Sequence, residues 1–119
     1  MFALTSSMSY FLCPHYVDMR RGIYSLYQLA KSEMHRNPLS GEVFLFFGRS
    51  RNLVKILHWD NDGFVLYTKK LERGTFEVPC FNPDNGRYEM KWATFVLIME
   101  GVSVESAKYR KRFYIKPNI

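Results

Sequence analysis

The sequence has 119 residues, a net charge of +6 and a pI of about 9.4. This length fits one domain with a single apolar core, and a content of 47% hydrophobic and 17% aromatic residues excludes an intrinsically disordered chain. Two cysteines far apart, Cys13 and Cys80, exclude a disulfide scaffold and indicate reduced, partly buried thiols.

The first ten residues, Met1–Tyr10, lack the basic segment and apolar run of a secretion signal. The longest strongly apolar stretch has about ten residues, against the roughly 20 that a membrane-spanning helix needs. We therefore expect a cytoplasmic protein that is neither exported nor inserted in a membrane.

A strand and a helix are the first predicted elements. Residues 10–12 are strand-like and end before Pro14. Asp18 is in position to cap a helix, which Pro38 and Gly41 close. The apolar positions that recur at helical spacing are Met19, Ile23, Leu26, Tyr27, Ala30 and Met34.

From Glu42 onwards the spacing of apolar residues becomes that of strands. Residues 43–47 have the composition of a buried strand, and Leu53–Trp59 and Phe64–Lys69 follow as two more. Between the last two, the Asp-Gly pair at positions 62 and 63 is a hairpin signal, because glycine takes a positive φ without penalty. The three strands predict an antiparallel meander.

The alternation of side chains along the second meander strand defines the two faces of the sheet. Val54, Ile56 and His58 face one side; the other side holds Leu53, Lys55, Leu57 and Trp59. Because both faces carry apolar groups, we expect the Asp18 helix to cover one face and Lys55 to reach water near an edge or tip.

The last part of the chain predicts a strand, a helix and a basic tail. Residues 75–78 are expected to add a fourth strand ending at Pro79, and Trp92–Glu100 forms a helix that Gly101 terminates. For the tail at 108–119, an ordered and a flexible state both stay open. The sequence therefore predicts one α+β domain over residues 1–119, with an antiparallel β-meander packed against an N-terminal α-helix and a short C-terminal helix.

The final predicted helix has more apolar surface than one contact can bury. Trp92, Phe95, Val96 and Met99 form the stripe assigned to the core. Leu97 and Ile98 lie on the other side, where an interface with another protein or a second copy could use them.

Positive charge is concentrated in two parts of the chain. Residues 49–75 hold six basic and three acidic residues, and residues 108–119 hold five basic residues and no acid. A meander would bring the central cations near one edge, where arginine can bond phosphate oxygens in a fork. The candidate DNA-binding residues are Arg49, Arg51, Lys55, Lys69, Lys70, Arg73, Arg110, Lys111 and Arg112.

Each basic cluster also has a second interpretation. The central cations could be solvated charges that protect the sheet edge from pairing with another strand. The segment Tyr109–Tyr114 interleaves basic and aromatic groups that could track phosphates and stack on bases, or it could be a strand with Phe113 packed.

Residues that could carry out catalysis are few. His58–Gly63 holds an imidazole and two carboxylates but lacks the glutamate that completes a calcium loop, so we interpret it as a hairpin turn. Cleavage of a phosphodiester by two metals needs several convergent carboxylates. Asp18, Asp60 and Asp62 are explained by a cap and a turn, and His15 and His35 have no partner at ligand spacing. We expect no catalytic residue, metal or cofactor.

Six segments spread along most of the chain are distinctive, above all Asp-Met-Arg at 18–20 and Asn-Pro-Leu-Ser-Gly at 37–41. The segments are Met1–Ser7, Val17–Gly22, Asn37–Phe44, Lys55–Asp60, Gly63–Tyr67 and Leu71–Phe76. In this order and at these separations they resemble the TnpB-type accessory protein, the second open reading frame product, of insertion sequence 66 family transposable elements. The resemblance implies a protein needed for transposition beside a separate, larger transposase that carries an acidic catalytic triad.

Charge and resemblance together predict a non-catalytic accessory protein for DNA transposition. It would bind the DNA backbone, associate with the nucleoid when acting, and assist assembly of the transposase complex. The alternative is a protein adaptor that binds the transposase or another element-encoded protein without contacting DNA. A small nuclease is a third interpretation, which cleavage of DNA with magnesium or manganese would reveal.

Overall fold

The computed structural model describes residues 4–79 and 89–101. In chain order the elements are β1 (Tyr10–Leu12), α1 (Ile23–Ser32), a 3-10 turn (Pro38–Ser40), β2 (Val43–Phe47), β3 (Leu53–Asp60), β4 (Gly63–Lys70), β5 (Glu89–Met90) and α2 (Trp92–Glu100). The strands form one mixed sheet in the order β4-β3-β2-β1-β5, in which β1 and β2 are parallel and the other neighbours antiparallel. The predicted α+β fold with its antiparallel meander, β2-β3-β4, is confirmed.

The core has two layers, one on each face of the sheet. Between the sheet and α1 lie Phe11, Phe44, Phe46, Leu57, Leu26, Leu29 and Ala30. Between the sheet and α2 lie Tyr10, Leu12, Val43, Leu45, Phe47, Val54, Ile56, Phe95 and Ile98. The predicted faces of β3 and the helix cover over one of them are confirmed. Ile98, assigned in the sequence to the outer side of α2, is instead fully buried.

The start of α1 differs from the sequence prediction. The helix begins at Ile23, with Gly22 extended at the N-cap and no capping side chain, and it ends at Ser32, well before the predicted close at Pro38 and Gly41, which belong to a separate 3-10 turn. The Asp18 carboxylate instead accepts the backbone N–H of Arg20 at 2.9 Å and its guanidinium at 2.6 Å. Asp18 as the helix cap was therefore wrong, because its side chain closes a turn that precedes the helix.

The segment at 75–78 is not a strand. It has one backbone bond to the meander, in which the Phe76 N–H donates to the Arg51 carbonyl at 2.6 Å. Its buried Phe76 ring packs against Phe47 with ring centroids 5.6 Å apart. A single aromatic anchor thus holds the segment across the end of the sheet without adding a strand.

The β3-β4 hairpin is confirmed, but the turn within His58–Gly63 comprises only Asn61 and Asp62, and glycine is not its left-handed residue. Asn61 has φ 61°, whereas Gly63 opens β4 directly opposite Asp60. Gly101 does end α2 in the left-handed conformation, with φ 80°, and its N–H donates to Ile98.

Some sequence predictions concern other parts of the chain. Cys80 and the tail at 108–119 lie outside the described residues, while Cys13 is a buried free thiol. Within residues 4–79 and 89–101, neither helix has the length and apolar character needed to cross a bilayer.

Candidate nucleic-acid interface

Six of the predicted contact residues lie at one end of the sheet. The loop 48–52 joins β2 to β3 there, and Leu53 pairs with Lys70 at the end of β4. The N–H of Leu71 donates to the Asn52 carbonyl at 2.7 Å, which holds the segment after β4 against the loop. We call this region, where β2 ends, β3 begins and β4 ends, the basic end. Its predicted residues are Arg49, Arg51, Lys55, Lys69, Lys70 and Arg73. Arg110, Lys111 and Arg112 lie outside the described residues.

Two of these lysines face opposite sides of the sheet, where one is bonded to the last turn of α2 and the other to the segment that precedes α1. Lys69 lies on the α2 side, where its Nζ donates to the Met99 carbonyl at 2.9 Å. The last turn of a helix has unsatisfied carbonyls that favour a cation. Lys55 lies on the α1 side, and its Nζ donates to the Arg21 carbonyl at 2.8 Å. Both ammonium groups thus have structural partners.

The other four cations of the basic end are exposed: Arg49, Arg51, Lys70 and Arg73. Across the described parts of the chain, none of the four makes an ion pair or a side-chain hydrogen bond. Glu72 is the one acid within residues 49–55 and 68–73. Among residues 4–79 and 89–101, these four charges are therefore not neutralised by an ion pair.

The loop that carries Arg49 and Arg51 has a fixed backbone. The Arg51 N–H donates to the Gly48 carbonyl at 2.9 Å, and the Arg51 carbonyl accepts from Phe76. Arg51 adopts φ 60°, a conformation uncommon outside glycine, asparagine and aspartate. The two guanidinium groups therefore project from a turn that the neighbouring strands and segment hold in place.

Sequence reasoning missed Arg20 and Arg21, which also lie near the basic end. The Val17 N–H donates to the Phe47 carbonyl at 2.9 Å, so the chain after β1 reaches the end of β2. Arg20 is bound by Asp18, and this hydrogen bond lowers the pKa of the Asp18 carboxyl. Arg21 donates to Ser25 Oγ at 2.7 Å. The missed signal was the strand-helix-strand order, which is typical of parallel neighbours.

The opposite end of the sheet carries acidic groups. Asp60 ends β3 and Asp62 lies in the hairpin turn there, while Glu42 precedes β2. Arg36, the cation beside Glu42, is engaged by it in an ion pair. Lys31 and Lys91 are exposed near this end as well, so exposed cations are more numerous at the basic end but not confined to it.

A cleft of about 410 Å³ opens beside Arg49. The N–H groups of Cys13 and Val17 donate to the carbonyls of Leu45 and Phe47. The segment after β1 therefore advances four residues over a length that β2 covers in two. The three residues in between, Pro14–Tyr16, therefore bulge out and line one side of the cleft. The other lining residues include Leu12, Phe47, Val78 and Pro79.

Cys13, His15 and Glu33 come together beside this cleft without the geometry of a catalytic triad. His15 Nε2 lies 3.8 Å from Cys13 Sγ and 3.2 Å from Glu33 Oε2, so both partners face the same ring nitrogen. A general base would contact the nucleophile with one nitrogen and the carboxylate with the other. Burial also raises the pKa of the Cys13 thiol, which disfavours the reactive thiolate.

The sequence matches a protein-family model described as "IS66 Orf2 like protein" over residues 8–109. It is similar to two curated proteins of Sinorhizobium fredii (strain NBRC 101917 / NGR234). "Uncharacterized protein y4hO" is 34% identical over 87 residues, which cover 73% of this chain and 74% of that protein. "Uncharacterized protein y4jC" is 33% identical over 86 residues, or 72% of each chain. No solved structure matches the chain significantly.

Proposed function

The chain belongs to the IS66 Orf2-like family, and from this we propose that it is a non-catalytic accessory protein of insertion-sequence transposition that binds the DNA backbone and helps to assemble the transposase complex. The observation that carries the proposal is the basic end. It holds four exposed cations without partners among the described residues, while acids lie at the opposite end of the sheet.

Phosphate binding suits the chemistry of these groups. A guanidinium can donate two parallel hydrogen bonds to phosphate oxygens, and the fixed loop lets Arg49 and Arg51 do so at a small cost in conformational entropy. Lys70 and Arg73 add charge beside them. Contacts of this kind position a protein on a duplex and carry no base information, so we expect a modest preference for sequence.

The geometry around Cys13 supports a role without catalysis. The thiol is neutral at ordinary pH because burial raises its pKa, and His15 is not placed as its base. Within residues 4–79 and 89–101, no three histidine, cysteine, aspartate or glutamate side chains gather as metal ligands would. DNA cleavage by the purified protein with magnesium or manganese would contradict this part of the proposal.

A protein adaptor that never touches DNA is the second candidate. Tyr24 on α1 supports it, because its side chain is 78% exposed and large exposed aromatics are common at protein interfaces. An adaptor would retain the transposase in a binding assay but would bind no DNA at low salt.

A salt titration separates the two candidates. The purified protein would be titrated with element-end DNA and with random DNA of equal length at several salt concentrations. Backbone binding predicts that log Kd changes with log salt by about 0.9 per phosphate contact, so four contacts give a slope of roughly 3.6. Absence of binding to both DNAs at low salt would overturn the proposal.

A further inference from the structure

The cleft beside Arg49 has the volume and the distribution of apolar and polar residues that are typical of a site for a small ligand. Its volume of about 410 Å³ lies within the roughly 300–1,000 Å³ typical of such sites. Leu12 and Phe47, both buried, supply apolar surface, whereas Tyr16 is 42% exposed at the rim. An apolar interior with polar groups at the opening suits a molecule that is flat and apolar at one end and charged at the other.

The residues that line the cleft indicate where the flat end of such a ligand would lie and where its charged end would lie. Tyr16 and His15, both with ring side chains, line the bulged side, and every nucleobase has a π-face that stacks on aromatic rings. Arg49 offers a guanidinium without a partner among the described residues. His15 already contacts the Glu33 carboxylate at 3.2 Å, so an anion is better placed beside Arg49 than beside His15.

We propose that this cleft binds one unpaired nucleotide of a DNA strand, with the base between Tyr16 and Pro79 and the phosphate at Arg49. The inference rests on the proposed DNA-binding function. Because the cleft adjoins the basic end, the strand on either side of the bound nucleotide can pass over Arg51 and Lys70. A paired base is held within the duplex stack, so the cleft discriminates in favour of a nucleotide that is already unpaired.

The test compares a blunt duplex with the same duplex carrying one unpaired terminal nucleotide. Fluorescence anisotropy should show that the protein binds the second duplex roughly fivefold more tightly or better, through stacking of the extra base. Tyr16→Ala and Arg49→Gln change exposed side chains and should abolish this preference. Arg73→Gln is the matched control, since Arg73 is exposed at the same end but does not line the cleft. It should weaken both complexes equally and keep the preference.

Each outcome separates this inference from the function on which it rests. Salt-sensitive binding to both duplexes with equal affinity would overturn the nucleotide site and leave backbone binding intact. A preference that survives Tyr16→Ala and Arg49→Gln would likewise overturn the site. Binding to neither duplex would overturn the proposed function itself. Deoxyadenosine monophosphate should compete weakly, and its removal of the preference at micromolar concentration would assign the cleft to free nucleotides instead.

Discussion

Tyr10 places a phenol inside the core of the sheet. The residue is fully buried, and its hydroxyl donates to the Thr5 carbonyl at 2.9 Å. Burial, with a smaller contribution from the nearby Tyr67, raises the pKa of Tyr10 to about 12. The folded state therefore keeps this proton at pH values where the unfolded chain releases it.

Stability should consequently fall in alkali. As pH rises from about 10 to 12, the contribution of Tyr10 to the free energy of unfolding should drop by up to about 2–3 kcal/mol. Urea unfolding at pH 8, 10 and 11 would measure this. Tyr10→Phe removes the titrating group and should flatten the pH dependence, although Tyr67, whose pKa burial also raises, keeps part of it. Identical pH profiles for the two proteins would contradict the assignment.

His58 presents a buried polar atom without a hydrogen-bond partner among the described residues. The side chain is 6% exposed, and the unpartnered atom is Nδ1. Leaving such a group unsatisfied costs about 1–3 kcal/mol. His58→Leu should therefore leave the free energy of unfolding unchanged or raise it. Val54→Thr adds an unpartnered hydroxyl to the same layer and should lower that free energy. Strong destabilisation by His58→Leu would indicate a partner for Nδ1.

The turn between β3 and β4 depends on Asn61 rather than on its glycine. Asn61 has φ 61°, which an alanine tolerates poorly, while a Cβ added to Gly63 would meet no atom within 4 Å. Asn61→Ala should therefore destabilise the protein by about 1 kcal/mol. Gly63→Ala should cost less or even stabilise, because alanine has less backbone freedom to lose. Thermal unfolding of both variants measures this, and the opposite ranking would contradict it.

Local patterns were sufficient to predict most of the elements. The alternation along β3 and the helical spacing from Ile23 to Ala30 were confirmed because each reflects burial of one side of a single element, whereas Met19 and Met34 lie outside the helix. The segment at 75–78 has strand composition, but its ladder partner would have to come from elsewhere in the chain. Pairing of β1 with β2 is likewise long-range. Sequence periodicity does not encode such partners, which is why these features were missed or wrong.

The sequence predicted which residues compose the candidate site but not which side of the sheet each of them faces. A run of cations around the meander could be counted in the sequence, yet the register decides that Lys55 and Lys69 face opposite sides. Their bonds to Arg21 and Met99 then depend on where α1 begins and where α2 ends. The cleft was not predictable, because it arises from a mismatch of lengths between two neighbouring segments.

The uneven distribution of charge across the molecule can be tested by removing equal charge from the two ends of the sheet. Arg51→Gln with Lys70→Gln removes two charges from the basic end. Lys31→Gln with Lys91→Gln removes two exposed charges near the opposite end, since α1 runs away from the basic end and α2 runs towards it. Both variants keep the same net charge, so any difference in DNA binding comes from position.

Backbone contact at the basic end predicts different salt dependences for the two variants. Loss of Arg51 and Lys70 should reduce the slope of log Kd against log salt by roughly 1.8, or about 0.9 for each lost contact. The control pair should keep the slope of the unchanged protein, with a small loss of affinity from its lower net charge. Equal slopes for both pairs would mean that DNA is attracted by net charge alone, and that no particular end of the sheet is its binding surface.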